Sequence, residues 1–457
     1  MNYLLPISEE IYQKHIAPLT PRFILTHPAV HLQVNDAIIP FEESGQQHIL
    51  PLIYRVTAVN RTAKTISLQL IDFCQHTLPL KEAFTRNILI SQEKMGDSLR
   101  IAPPEFEEVK NAMGGKRRTE QELLTSIRNY ITARGYYYDE ETLYNYHICL
   151  KTRPLVILAG LSGTGKSKLP QLYAEALGHK PRYLRLPVRP NWNDDRYLLG
   201  YFNTITGEYI PEPAVEFIHE AETDPYNLYF FCLDEMNLAH VEYYFSQFLS
   251  TMEEEQPEDR RIQLYSKYLW ERAQKGADPF PYQLVIPENL FFTGTINVDE
   301  TTKPISDKVI DRANTLEFFS VDLEKMPIPT TVAPPISIAA STWRSYRINT
   351  PDLSYRSQII EINKLLNRAD LGLGYRVLHE IELYLANSIE LLEPDTAFDL
   401  QVKQRILPRI RGAGYKIEQL LNDLRAFLRQ QNFPRSIQRL EEMQHRLQHD
   451  GYTNFWR

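Results

Sequence analysis

Cysteine is nearly missing from this chain: 457 residues contain three, Cys74, Cys149 and Cys232. They stand far apart, make no metal-ligand spacing and read as buried thiols, Cys232 inside an apolar strand-like run. The histidines are scattered too, without a His-x-x-x-His pair on a convincing helix, so no structural zinc site is expected. No run of eighteen apolar residues occurs, and Met1-Asn2-Tyr3-Leu4-Leu5 breaks at Pro6 without a charged-then-apolar leader. The expectation is a cytoplasmic protein with no membrane contact. Excess positive charge is also lacking. A formal net charge of −8 argues against indiscriminate attraction to nucleic acid or anionic membrane. Any nucleic-acid contact is left to local basic patches or to a partner.

With 43% hydrophobic and 24% charged residues the chain has the composition of a globular protein, and its length exceeds what one hydrophobic core supports. Two to four domains are expected. Residues 1–104 show short alternating runs: Val30, Leu32 and Val34 point one way, Tyr54 and Val56 share a face, and Ile66, Leu68 and Leu70 alternate. This is read as a small, mostly β domain. Residues 105–118, from the acidic stretch Glu105 to Glu108 through Gly114-Gly115-Lys116-Arg117-Arg118, are expected to form an exposed linker. Thr119-x-x-Glu122 resembles a capping box ahead of Leu123, Leu124, Ile127, Tyr130 and Ile131 at helical spacing. A second helix is expected from Glu140 to Leu150. From 119 to 325, apolar strand runs alternate with helical or loop segments, the pattern of an α/β core with a parallel sheet covered on both faces. A proline-rich connector spans 326–340, and 341–457 has the leucine, arginine and glutamate content and helical period of an all-α domain. Within it Arg405, Arg409 and Arg411 read as part of a solvated face or as facing a neighbour.

The chemistry is carried by three strand ends. The apolar run Leu155 to Ala159 is followed by Gly160-Leu161-Ser162-Gly163-Thr164-Gly165-Lys166-Ser167 and then by an expected helix, Lys168 to Leu177. That order of strand, glycine loop and helix is a phosphate-binding loop. Backbone N–H groups close around phosphates, Lys166 reaches the β- and γ-phosphates, and the Ser167 hydroxyl ligates Mg²⁺. A second strand, Tyr229 to Leu233, ends in Asp234-Glu235, where Asp234 is placed to hold Mg²⁺ and Glu235 to polarise an attacking water. A third, Leu290 to Thr295, delivers Asn297 to the strand end where open α/β sheets bind ligands. On the loop Val188 to Asp194, Trp192 beside Arg189 reads as a substrate contact in a central pore or as a buried anchor.

These motifs together resemble the AAA+ NTPases, with a C-terminal helical lid. Leu233-Asp234-Glu235-Met236-Asn237-Leu238-Ala239, the helix from Phe248-Leu249 to Met252-Glu253, and Gly294-Thr295-Ile296-Asn297 continuing to Ser306-Asp307-Lys308-Val309-Ile310-Asp311-Arg312-Ala313 resemble the McrB-type subunits of modification-dependent restriction systems. The resemblance covers roughly residues 120–320 and, more weakly, the C-terminal helices. It implies an NTP-hydrolysing motor working with Mg²⁺ on GTP or ATP, a homo-oligomeric, hexameric ring, action on DNA and a separate McrC-type nuclease. The N-terminal domain then recognises a target or binds a protein. By position, Arg312 is the arginine supplied to the adjacent subunit's nucleotide, with pairing to Asp307 or Asp311 as the alternative, and Arg376 is the lid arginine that reads the γ-phosphate. Two departures stand out. Asn297-Val298-Asp299-Glu300 replaces Asn-Thr-Ala-Asp, making Asp299 or Glu300 the acidic partner of Asn297, and a single Arg312 replaces a run of arginines. MoxR-like and dynein-related chaperones share every hydrolytic residue.

Overall fold

The computed structural model of the protein describes residues 2–7, 22–26, 32–34, 36–42, 48–49, 52–60, 65–73, 78–79, 93–95, 98–101 and 103–112, and residues 119–456 except 154, 226, 255, 274–279, 299–301, 331–334, 337 and 339. Cys74, Val30, Asp299, Glu300 and the Gly114 to Arg118 stretch lie outside them. The chain divides into two compact units, residues 1–119 with 337–343, and residues 120–336 with 344–457.

The first unit is built on a sheet in the order Arg22–Thr26, Thr65–Phe73, Leu52–Asn60, Ala37–Glu42, Asn2–Ile7, Ser98–Ile101, Glu93–Met95. Its pairs are antiparallel except Asn2–Ile7 with Ala37–Glu42. Tyr54, Val56, Ile66 and Leu68 are buried, because alternate residues of these strands face the same apolar side. Leu32 is buried but Val34 is exposed, contrary to the alternation expected of them. Gln33 N–H donates to Asp36 Oδ2 at 2.7 Å and Asp36 N–H to Gln33 O at 3.1 Å, which makes a turn here and ends the period of two. The expected linker contains a helix, Pro103–Ala112. Its prolines sit at the tolerated first turn, and Phe106 and Val109, three apart, are buried. Residues 337–343, read from sequence as connector and lid, belong to this unit.

The second unit holds a five-stranded parallel sheet. Its strands are β1 Leu155–Gly160, β2 Tyr183–Pro187, β3 Tyr229–Asp234, β4 Leu290–Asn297 and β5 Asn314–Phe318, in the spatial order 5-1-4-3-2. Every residue of β1 and β3 is buried, as apolar runs without alternation require when both faces are covered. The helices before and after β1 are α1 Glu120–Ala133, α2 Glu140–Thr152 and α3 Lys168–Ala176, and α4 Pro213–Thr223 precedes β3. Successive strand residues show which face each covers. Tyr173 of α3 meets Phe230 edge-on at 5.8 Å, while Phe217 of α4 meets Tyr229 and Phe231 at 5.3 and 6.1 Å, so α3 and α4 lie on opposite faces.

A buried polar chain joins α1, α2 and α3. His147 Nδ1 faces the Tyr173 hydroxyl at 2.5 Å, its Nε2 faces Glu120 Oε1 at 2.7 Å, and Lys151 Nζ pairs with the same oxygen at 2.6 Å. Burial pushes the His147 imidazole below its ordinary pKa, against the opposing pull of Glu120.

The C-terminal helices are α5 Arg356–Asn367, α6 Tyr375–Ser388, α7 Pro394–Gln401, α8 Tyr415–Gln431 and α9 Pro434–Asp450. Leu420, Leu421, Leu424 and Leu428 of α8 are buried at helical spacing, and the α9 N-terminus is tied to α7 by Ser436 N–H donating to Asp399 Oδ1 at 2.9 Å. A π-turn, Val402–Ile406, follows α7 and carries Arg405 inward. No helix among the described residues is long and apolar enough to cross a membrane.

Candidate functional site

The order 5-1-4-3-2 brings the ends of β1, β4 and β3 side by side, with the glycine loop, Asn297 and Asp234-Glu235 on one sheet edge. The loop begins where β1 touches β5. A Cβ on Gly160 would lie 1.9 Å from Phe318 O, a backbone atom that cannot step aside, so no larger residue fits here. Leu161 N–H donates to that carbonyl at 3.1 Å. At the other end Gly165 O accepts from Lys168 N–H at 2.9 Å and from the Tyr138 hydroxyl at 2.8 Å, which fixes the entry to α3. Lys166 is buried, its ammonium donating to Gly160 O at 3.1 Å and to Leu161 O. Thr164 donates to Leu161 O at 2.9 Å.

Ser167 makes no side-chain cap for α3; its hydroxyl donates to Asp234 Oδ1 at 2.5 Å. The same oxygen accepts from Thr295 Oγ1 at 2.9 Å. Burial pushes the Asp234 carboxyl up, and the hydrogen bonds from Ser167, Arg185 and Thr295 outweigh it, holding the group below its ordinary range. Asp234 is therefore ionised at neutral pH. A hydroxyl and a carboxylate oxygen in contact are the hard ligands Mg²⁺ takes when phosphates and water complete its shell. Among the described residues no group of three or more His, Cys, Asp or Glu is placed to hold a metal ion.

Glu235 follows in a left-handed backbone conformation, φ +54°, which costs a non-glycine residue about 1 kcal/mol. Its N–H donates to Thr295 Oγ1 at 2.9 Å, and Asn297 Nδ2 donates to its Oε1 at 3.1 Å. Asn237 holds the other side of this turn: its Nδ2 donates to Asn297 O at 2.8 Å, and its Oδ1 accepts from Asn297 N–H at 3.3 Å. Gly294 makes room for the turn, since a Cβ there would lie 2.0 Å from Met236 Sδ. The acidic partner of Asn297 in this arrangement is Glu235; Asp299 and Glu300 are outside the described residues.

Sequence reasoning missed Arg185. On β2, opposite Cys232 in register, it donates from Nε to Asp234 Oδ2 at 2.9 Å and from Nη2 to the same oxygen. The available signal was a lone arginine between Leu184 and Leu186 in an apolar strand, but nothing local names its partner 49 residues away.

Among the described residues, Arg312 and Arg376 bond neither the glycine loop nor Asp234, Glu235 or Asn297; they meet each other at Glu253. Arg312 donates from Nε to Leu249 O at 2.9 Å, from Nη1 to Lys308 O at 2.6 Å and from Nη2 to Glu253 Oε1. Arg376, at the start of α6, donates to the same Glu253 oxygen at 2.5 Å. The alternative pairing of Arg312 is not found: Asp307 pairs with Arg411 at 2.7 Å, and Asp311 with Arg409. Of the two readings of Arg405, Arg409 and Arg411, the solvated face does not hold for Arg405 and Arg409, which are turned inward. Arg405, fully buried, donates to Ile310 O at 3.0 Å, Ala313 O and Asp311 O at 3.1 Å, and pairs with Glu380 at 2.5 Å. Arg153 donates to Arg312 O at 3.1 Å and also pairs with Glu380. Burial pushes Arg405 down to about 10, still protonated at neutral pH. The carbonyls of 310–313 needed donors, and two buried guanidiniums supply them.

Trp192 is buried, stacked on Tyr197 at 5.9 Å and edge-on to Tyr244 at 5.3 Å, which makes it an anchor within this chain. Cys149 and Cys232 are buried thiols whose pKa burial raises.

Residues 340–452 match the model of a family described as a domain of unknown function (DUF8727). No curated protein matches the chain in sequence. A crystal structure of a candidate ATPase from Cytophaga hutchinsonii is similar at 15% identity with a TM-score of 0.44, over 68% of this chain and 93% of that one. A solution structure of Rpa0253 from Rhodopseudomonas palustris is similar at 11% identity with a TM-score of 0.19, over 24% of this chain and 92% of that one.

Proposed function

We propose that the protein is a Mg²⁺-dependent nucleoside triphosphatase of the AAA+ type. The observation that carries this reading is the meeting of Lys166, Ser167, Asp234, Glu235 and Asn297 at one edge of one parallel sheet, from segments far apart in sequence. In this reading the loop N–H groups and Lys166 receive the β- and γ-phosphates, the ammonium exchanging the Gly160 and Leu161 carbonyls for phosphate oxygens. Mg²⁺, held by Ser167 and Asp234, supplies charge to the phosphate oxygens when bound. Glu235 takes a proton from water as the water attacks the terminal phosphorus, and the Asn297 amide keeps its carboxylate aimed. Arg312, with Arg376 beside it, serves the triphosphate of a second copy, so turnover depends on assembly.

The finer reading is a ring-forming motor of a McrB-like defence system that acts on DNA with a separate nuclease. It is supported by the Asp234-Glu235-Met236-Asn237 and Gly294-Thr295-Ile296-Asn297 stretches, which interlock through Asn237 and Asn297. The deciding experiment measures Mg²⁺-dependent hydrolysis of ATP and GTP with and without duplex DNA and a nuclease encoded beside it, using the wild type and Glu235→Gln. Turnover lost in the variant with nucleotide retained supports the triphosphatase; unaltered turnover in Glu235→Gln overturns this mechanism. Stimulation by DNA or nuclease supports the motor, and its absence favours a MoxR-like chaperone.

A further inference from the structure

One oxygen of Glu253, Oε1, receives both Arg312 and Arg376. The two arginines are held very differently without it. Arg312 keeps two backbone acceptors, Leu249 O and Lys308 O, so its guanidinium stays aimed whether or not the carboxylate is present. Among the described residues Arg376 keeps only Glu380, 4.0 Å from a buried Nε that has no hydrogen-bond partner there. The surrounding ion-pair network joins four guanidiniums, Arg153, Arg312, Arg376 and Arg405, to two carboxylates, Glu253 and Glu380. The excess is positive, and two of its donors point at one spot.

That spot is accessible: the Glu253 and Arg376 side chains are each 37% exposed. An ion pair so exposed is weak, because solvent screens it and the side chains lose freedom in forming it. A phosphate carries more charge and more acceptor oxygens than a carboxylate and takes guanidinium donors in the same geometry. We propose that Arg312 and Arg376 form a two-arginine receptor for the terminal phosphate of a triphosphate on a second copy of this chain, and that Glu253 is its built-in competitor. Until that phosphate arrives, the carboxylate occupies its place and keeps the two cations together. This rests on the reading that Arg312 acts between copies. Glu253 thereby sets how much assembly and how much triphosphate are needed to engage the arginines.

The test uses the full chain with Lys166→Ala, so that the loop of the same copy takes no polyphosphate, and titrates inorganic tripolyphosphate by calorimetry at physiological ionic strength. Adding Glu253→Gln should tighten binding roughly fivefold, the scale of one exposed ion pair, and adding Arg376→Ala should remove the gain. Equal affinity with and without Glu253, or a gain that survives Arg376→Ala, overturns the proposal. If the Gln variant fails to fold, Glu253→Asp, which retracts the charge by one methylene, serves the same comparison. No hydrolysis is read here, so failure of the triphosphatase reading would appear separately, as absent turnover in the wild type.

Discussion

The side-chain amide of Asn297 donates to the Glu235 carboxylate at 3.1 Å, across the ends of two adjacent parallel strands. The bond joins the group expected to activate water to a donor that fixes its direction. Asn297→Ala should lower kcat about a hundredfold with little change in KM, because aim is lost while the phosphate contacts remain. Asn297→Asp should do no better, since a second carboxylate repels Glu235. Steady-state hydrolysis, with binding of a non-hydrolysable triphosphate as control, checks both.

Arg312 is bonded to Leu249 O, Lys308 O and Glu253 rather than to the glycine loop of its own chain. Arg312→Ala and Glu235→Gln chains should each be inactive, and mixing them should restore turnover. Random pairing leaves about one interface in four with both groups intact. A titration of one variant into the other checks this; no recovery would make the arginine intramolecular.

Arg405 and Arg411 both pair with acids, yet their burial separates their worth. Arg405→Ala leaves Glu380 and the carbonyls of Ile310 and Ala313 short of a donor in a dry site and should cost about 3–5 kcal/mol. Arg411→Ala, with side chains 44% and 56% exposed in its pair with Asp307, should cost under about 1 kcal/mol. Denaturant midpoints of the two variants distinguish these outcomes.

His147 is neutral in the fold because burial lowers its pKa from the ordinary 6.5. The unfolded chain binds a proton there that the folded chain refuses. The associated stability is therefore complete above the ordinary value and is lost as pH falls through that value toward the folded one, by at most about 1.4 kcal/mol per pH unit. The melting temperature of the wild type should fall more between pH 7.5 and 5.5 than that of His147→Gln, a comparison that cancels the other histidines.

Much of the fold was legible because its signals are local. The runs 155–159, 229–233 and 290–295 lack alternation, as strands buried on both faces do, and β1, β3 and β4 stand there. Leu123, Leu124, Ile127, Tyr130 and Ile131 repeat at helical spacing and are the buried face of α1. The helix Pro103–Ala112 was missed because charge and neighbouring glycines outweighed two apolar residues, Phe106 and Val109, on a helix that packs near the strand Asn2–Ile7, about a hundred residues away in sequence.

By itself the sequence determined the chemistry available at each strand end: a glycine loop before Lys166, two carboxylates after β3, and an amide at the end of β4. Backbone pattern and residue type are enough for that, since each signal lies within a few residues. Which charge meets which was decided only in three dimensions. Arg185 finds Asp234, and Arg312 and Arg376 find Glu253 from 59 and 123 residues away. A guanidinium reaches only a few ångströms from its own backbone, so its partner is fixed by strand order and helix packing, which no local pattern encodes.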